Sequence, residues 1–168
     1  NSDLANDIGN LSQRTLSFVF KNLEGILPAV PKALQHEDKQ LIVAADGLLD
    51  TVRTSFDQQA FHEGLKQIWE VVAAANRYID QMAPWALRKT DPNRMADVLG
   101  VLLETIRQVA ILLQPIMPNS AEKLLDQLKV ESDERNFDRL GGADRLIAGR
   151  KIDKPSGVFP RFSEDEAS

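Results

Sequence analysis

Apolar residues recur at helical spacing through most of the chain, and proline or glycine interrupts each run. Leu4, Ile8, Leu11, Thr15 and Phe18 share one face of a helix over about Ser2 to Asn22, which Gly25, Pro28 and Pro31 then end. Leu41, Ala45, Leu48 and Val52 predict a second helix from Glu37 to about Thr54. Asp57 reads as the N-cap of a third, Gln58 to Met82, whose apolar sector carries Phe61, Leu65, Ile68, Trp69, Val72 and Ile79 before Pro84 breaks it. Thr90-Asp91-Pro92 opens a fourth, with proline in the first turn, that runs to about Gln114. That fourth segment is apolar on most of its circumference, the pattern of a central helix with neighbours on several sides. Asn119 followed by Glu122 resembles a capping box opening a short fifth helix to about Leu128. No alternating strand pattern and no internal repeat interrupts the series. The expected fold is all-α: a bundle of about five helices over residues 1–130, an irregular and extended segment over 131–162, and an acidic tail over 163–168.

Composition narrows the chemistry. Residues are 43% hydrophobic and 27% charged over 168 positions, enough to bury a core. The longest apolar runs, such as Val71 to Ala75, are too short to span a bilayer. There is no cysteine, and the two histidines, His36 and His62, lie far apart, so thiolate metal sites and histidine catalysis lack material. A Gly-rich phosphate loop, a Gly-x-Ser-x-Gly elbow and a His-Glu-x-x-His helix are all missing, and neither catalytic nor metal residues are expected. The net charge of −5 is the wrong sign for a generic nucleic-acid binder. Two mild basic stretches relieve it, +2 over Lys66–Lys89 and +3 over Asp144–Arg161. The chain begins Asn1-Ser2-Asp3-Leu4, with the helical pattern already running, and is expected to be a piece of a longer protein or a processed product.

Three polar features stand out on the helical wheel. In the first helix, Asp3, Asp7, Asn10, Arg14, Ser17 and Lys21 form an arc beside the apolar one, and Asn10 and Arg14 are i, i+4 neighbours. In the third, Asn76 falls between Val72 and Trp69, where a carboxamide needs a hydrogen-bond partner, and Asp80 follows one turn later. Trp85 follows the helix-breaking Pro84 and is expected at a helix exit, where an indole can be partly exposed; the other reading is a core tryptophan.

These residues fall within stretches that resemble one family. Asp7-Ile8-Gly9-Asn10-Leu11-Ser12-Gln13-Arg14 is similar to the Asn-Leu-x-x-Arg element opening the anticodon-binding domain of the methionyl-tRNA synthetases. Asn76 to Trp85 resembles that domain's Asn-x-Tyr-x-Asp-x-x-x-Pro-Trp element. Ile111 to Pro118 and Val158-Phe159-Pro160-Arg161 resemble two later elements, shared more loosely by related synthetases. The resemblance implies a helical domain that reads the CAU anticodon loop of methionine tRNA. Trp85, beside Pro84, would stack on a base, Asn10 and Arg14 would bond base edges, and Asn76 and Asp80 would support the turn presenting Trp85. The family's His-Ile-Gly-His and Lys-Met-Ser-Lys-Ser signatures are absent. The implied protein is therefore the RNA-reading part of a methionine–tRNA ligase. Its Rossmann-type catalytic domain, which uses ATP with Mg, would lie outside this sequence and be its partner in the same chain. A short tail resembles the monomeric bacterial or mitochondrial forms, implying a cytoplasmic bacterial enzyme with no membrane partner. Two alternatives stay open: the anticodon domain of an isoleucine, valine, leucine or cysteine enzyme, and a helical protein–protein scaffold marked by a large apolar patch around Trp85.

Overall fold

The computed structural model describes residues 2–158, all of them but the side chain of Ser2. The expectations for Phe159-Pro160-Arg161 and for the acidic tail fall outside them. Seven α-helices form among the described residues: α1 (Ser2–Asn22), α2 (His36–Asp46), α3 (Leu48–Asp57), α4 (Phe61–Met82), α5 (Pro84–Thr90), α6 (Pro92–Leu113) and α7 (Pro118–Gln127). All five expected helical segments are present and the all-α architecture is as read. The second divides at Gly47 into α2 and α3, and the short α5 follows the break at Pro84.

Two starts differ from expectation. Asp57 is the last residue of α3 and not the cap of the next helix. Gln59 turns left-handed (φ 57°), the Ala60 N–H reaches back to the Ser55 carbonyl at 2.7 Å, and α4 begins at Phe61. The rings of Phe56 and Phe61 then close this α3–α4 hairpin, 5.3 Å between centroids. At α7, Pro118 takes the first helical position, so Asn119 lies inside the first turn and caps nothing. At α6 the expected start holds: Pro92 leads, and the Asp91 carboxylate accepts from the Arg94 N–H at 3.1 Å.

α6 is the axis of the bundle. Every residue from Val98 to Leu113 is buried, and α1, α2, α4, α5 and α7 all pack on it. The remaining cover is irregular backbone. The segment between α1 and α2 crosses α6 at Gly100, where a Cβ would collide with the Ala29 carbonyl oxygen. The C-terminal segment, two short 3₁₀ turns (Ser132–Glu134 and Phe137–Arg139) followed by chain without regular structure, closes over that crossing. It pairs with it through an antiparallel bridge between Ile26 and Lys151, with Leu27 N–H on the Arg150 carbonyl at 2.9 Å and Ile152 N–H on the Gly25 carbonyl at 2.8 Å. Leu140, Leu146 and Ile152 are buried beneath.

Buried charge fastens this cover to α6. The Glu104 carboxylate, fully buried, accepts from both arms of Arg107 (2.8 and 2.7 Å), from Gln108 (3.1 Å), from Arg145 (3.3 Å) and from the Leu146 N–H (2.8 Å). Arg145 in turn forks onto Asp46 at 2.6 and 2.8 Å. Burial pushes the Asp46 carboxyl up, but bonds from Arg145 and Gln108 outweigh it and hold the group below its ordinary value.

The closest backbone approach gives a first prediction. Gly100→Ala must displace the Ala29 carbonyl or bend α6, and overpacking of this kind costs about 1–3 kcal/mol. Urea unfolding should show a lowered midpoint with an unchanged slope; a variant as stable as the parent would show that the crossing is looser than described.

Candidate nucleic-acid interface

The polar arc of α1 lies along α4 and α5, and three side-chain bonds set the register. The Trp69 indole N–H donates to Asp7 at 2.9 Å, Arg14 donates to Asp80 at 3.0 Å, and Arg88 donates to Asn22 at 3.3 Å. Residue numbers rise together on both sides, so α1 and α4 run in the same sense and α5 continues the seam. Asn10 is exposed on α1 between Asp7 and Arg14. Trp85 stands in chain order between Asp80 and Arg88, in the first turn of α5, and is 45% exposed. The seam therefore collects Asn10, Arg14 and Asp80 along α1 and α4, with Trp85 on the element that prolongs it. Arg14–Asp80 is a solvent-exposed pair, with side chains 44% and 65% accessible. Such pairs add at most about 1 kcal/mol; this one fixes where a guanidinium sits while leaving its other donors to solvent.

The turn that carries Trp85 is built from an unusual backbone. Ala83 is left-handed (φ 48°, ψ 66°), ending α4 and starting α5 at one residue. Its N–H bonds the Ile79 carbonyl at 3.0 Å, and its own carbonyl accepts from Ala86 and Leu87. Placing a residue with a Cβ there costs on the order of 1 kcal/mol. Pro84 is buried at the first position of α5, its ring directed inward while the next side chain points out. Trp85 thus sits at a helix start, not at the helix exit that its sequence position suggests.

Asn76 plays a different part from the one expected. It is half-buried, and its amide donates to the Val72 carbonyl of its own helix at 3.2 Å, not to the turn at Pro84. The reason lies in the wheel. Trp69, two turns before Asn76, is 42% exposed, so the sector shared by Trp69, Asn76 and Asp80 is the flank facing α1, and a bond one turn back satisfies the carboxamide there.

What braces the turn is a buried network that the sequence did not announce. Asp38, fully buried in the first turn of α2, receives both arms of Arg94 (2.7 and 2.8 Å), the Tyr78 hydroxyl (2.6 Å) and the Gln35 N–H (3.1 Å). It joins the last turns of α4 to the first turns of α2 and α6, and an Arg94 arm also lies 3.6 Å from the Met82 sulfur, one residue before Ala83. Burial raises the Asp38 carboxyl, but the bonds from Arg94 and Tyr78 prevail and keep it below its ordinary range. Burial and the bond to Asp38 push the Tyr78 phenol well up. The sequence signal was faint: an aspartate one turn into a helix and a tyrosine on an apolar stripe.

Among the described residues no cluster of histidine, aspartate and glutamate is arranged to hold a metal, and no helix is long and apolar enough to cross a membrane.

Comparison with known proteins agrees with this architecture. A family profile described as the anticodon binding domain of methionyl tRNA ligase matches residues 28–168. The methionine–tRNA ligase of Rhizobium meliloti (strain 1021) is 50% identical over 167 residues, covering 99% of this chain and 32% of its own. That of Brucella suis biovar 1 (strain 1330) is 51% identical over 165 residues, with 98% and 32% covered. The crystal structure of free Mycobacterium tuberculosis methionyl-tRNA synthetase superposes with a TM-score of 0.89 at 44% identity, over 97% of this chain and 33% of that one. The chain thus spans about a third of the length of the curated relatives it matches. The profile match begins after α1, whereas the two relatives align across nearly the whole chain.

The Asp38 network generates a second prediction. Its carboxyl titrates below the unfolded value of 3.8, so the stability it contributes is complete above about pH 4 and is lost as the pH falls through the folded value. Asp38→Ala, which leaves the largely covered Arg94 and the Tyr78 hydroxyl without their partner, should cost roughly 3–5 kcal/mol at pH 7 and flatten the acid limb of the stability curve. Urea titrations at pH 7 and pH 3 measure both; a loss below about 1 kcal/mol at pH 7 would contradict the bracing role.

Proposed function

The chain belongs to the family of methionyl-tRNA ligase anticodon-binding domains, and from that premise we propose that its α1–α4–α5 seam reads the CAU anticodon loop of methionine tRNA. The observation that carries the reading is Trp85: a large, rigid aromatic, half-exposed at a left-handed turn braced from behind by buried charge. An unstacked loop base presents a π face, and an indole in this setting takes it without prior ordering cost. Arg14, held by Asp80, and Asn10 on the same arc supply donors and an acceptor for base edges. Pro84 fixes the approach of the indole, and Asp80 positions Arg14. Asn76 acts at most as a spacer on the α4 flank, given its bond to its own helix.

In this reading the whole protein is a methionine–tRNA ligase that attaches methionine to its tRNA with ATP, a monomer in the bacterial cytoplasm. ATP and its magnesium would bind the catalytic part of that protein, and this domain would deliver the anticodon while that part acts on the far end of the same tRNA. The family match favours this over a related synthetase.

Stacking of one base is worth about 1–3 kcal/mol, or roughly five- to a hundredfold in affinity. Trp85→Ala should weaken binding of a CAU anticodon stem-loop by that factor while scarcely changing its salt dependence, and Trp85→Phe should recover part of the loss. Arg14→Ala should instead narrow the gap between CAU and a stem-loop whose first anticodon base is changed. Fluorescence titration measures all three. A folded Trp85→Ala chain that binds CAU as tightly as the parent would refute the stacking role.

A further inference from the structure

Most arginines in this chain are already spoken for by carboxylates. The cavity of about 80 Å³ under the C-terminal segment is lined by Arg107, Arg139, Arg145 and Arg150. Each of the four has an acid: Glu104, Asp144, Asp46 and Glu134 respectively. Among the described residues only Arg77 and Arg88 lack an ion pair among the arginines, and Arg77 faces the groove beside Glu37 and Gln40.

Arg88 is placed differently. It lies three residues after Trp85 on α5, and Lys89 lies four after, so the three share one helix face at neighbouring positions. Arg88 reaches the Asn22 side chain at 3.3 Å, which brings the C-terminal end of α1 against α5. Lys21 belongs to that end. It is seven residues beyond Arg14 as Arg14 is seven beyond Asp7, and two turns of helix return it to the arc that meets α4 at Trp69 and Asp80. Lys21, Arg88 and Lys89 are all exposed, and none has a carboxylate within 4 Å among the described residues. The acid next along the chain, Asp91, is engaged in capping α6.

We propose that Lys21, Arg88 and Lys89 form an RNA-backbone edge that holds the phosphodiester groups flanking the base stacked on Trp85. This rests on the anticodon reading above and adds to it a second, sequence-blind contact. Donors to phosphate need no fixed geometry beyond proximity, which suits two flexible lysines around one guanidinium anchored by Asn22. The arrangement divides labour along the seam: the Arg14 end, neutralised by Asp80, discriminates, and the Lys21–Arg88–Lys89 end grips. Cations in the last turn of a helix also complement its dipole. That structural use would register in thermal stability and not in the ionic-strength dependence of RNA binding.

The test is a salt titration of this chain with the CAU stem-loop and with its changed-first-base counterpart. Three phosphate contacts give a slope of log affinity against log salt of about −2 to −3. The triple variant Lys21→Ala, Arg88→Ala, Lys89→Ala should shallow that slope by about two and weaken both stem-loops by the same factor. Arg88→Lys, which keeps the charge but loses the guanidinium fork, should retain the parent slope, and a melting curve confirms that each variant is folded. A parent chain that prefers CAU but whose slope the folded triple variant leaves unmoved overturns the backbone edge alone. A loss confined to the CAU stem-loop also overturns it, since that would make these residues base readers. A parent chain that binds the two stem-loops equally overturns the anticodon reading itself, and the edge with it.

Discussion

A helix with no polar face constrains everything around it. From Val98 to Leu113 α6 presents no side chain to solvent, so each degree of its circumference must be covered by some other part of the chain. Five helices cover part of it. The rest falls to irregular backbone, whose own N–H and C=O groups must then find partners away from water. The Ile26–Lys151 bridge and its flanking bonds meet that demand, and Gly100 makes room for the crossing. Three polar residues of α6, Glu104, Arg107 and Gln108, serve the same end. Arg107 and Glu104 bond the backbone of the cover at Asp144 and Leu146, and Gln108 bonds Asp46 at the end of α2. A buried carboxylate is tolerable there only because five donations converge on it.

The same device is used at the other end of α6, with a different consequence. Arg94 and Asp38 tie α2 and α4 to the start of α6 directly behind Ala83. The left-handed alanine is a local cost, and it persists because neighbours on three helices leave the chain no other path. Trp85, the side chain proposed to stack on a base, lies one residue past Pro84. An exposed aromatic is useful for stacking only if its backbone does not move, and the rigidity comes from charge pairs that touch no ligand.

Sequence periodicity revealed what depends on local order. The five helical segments, the centrality of α6, and the arc bearing Asn10 and Arg14 follow from spacing alone, and Pro84 marked the break at which α5 begins. The features that stayed hidden depend on distant partners or on backbone without a compositional mark. Asp57 and Asn119 are good capping residues in places where a left-handed Gln59 and a proline at position 118 had already fixed the helix starts. Ala83 has none of the glycine signature of a positive φ. Asp38 and Arg94 are 56 residues apart, and Asp46 and Arg145 are 99 apart, so neither pair is visible to any window along the chain. Asn76 was misplaced for a subtler reason: an apolar sector has edges, and Trp69, counted as interior, proved to be one of them.

A proposed RNA-binding role for an acidic domain is less paradoxical once its cations are followed individually. Net charge describes the field at long range, where −5 repels a polyanion. At contact distance the relevant quantity is how many cations remain unspent, and where. Arg53, Arg94, Arg107, Arg135, Arg139, Arg145 and Arg150 are each paired with a carboxylate, most of them in fastening the C-terminal segment or the Asp38 network. The pairing offsets their charge, and Arg88 and Lys89 beside Trp85 are exposed without a carboxylate within 4 Å among the described residues. Screening over about 8–10 Å at physiological salt weakens the far-field repulsion much more than a direct phosphate contact. On the proposed reading, the many acids on the remaining surface would disfavour nonspecific docking elsewhere, so a negative net charge would sharpen the choice of surface while opposing binding only weakly at the seam.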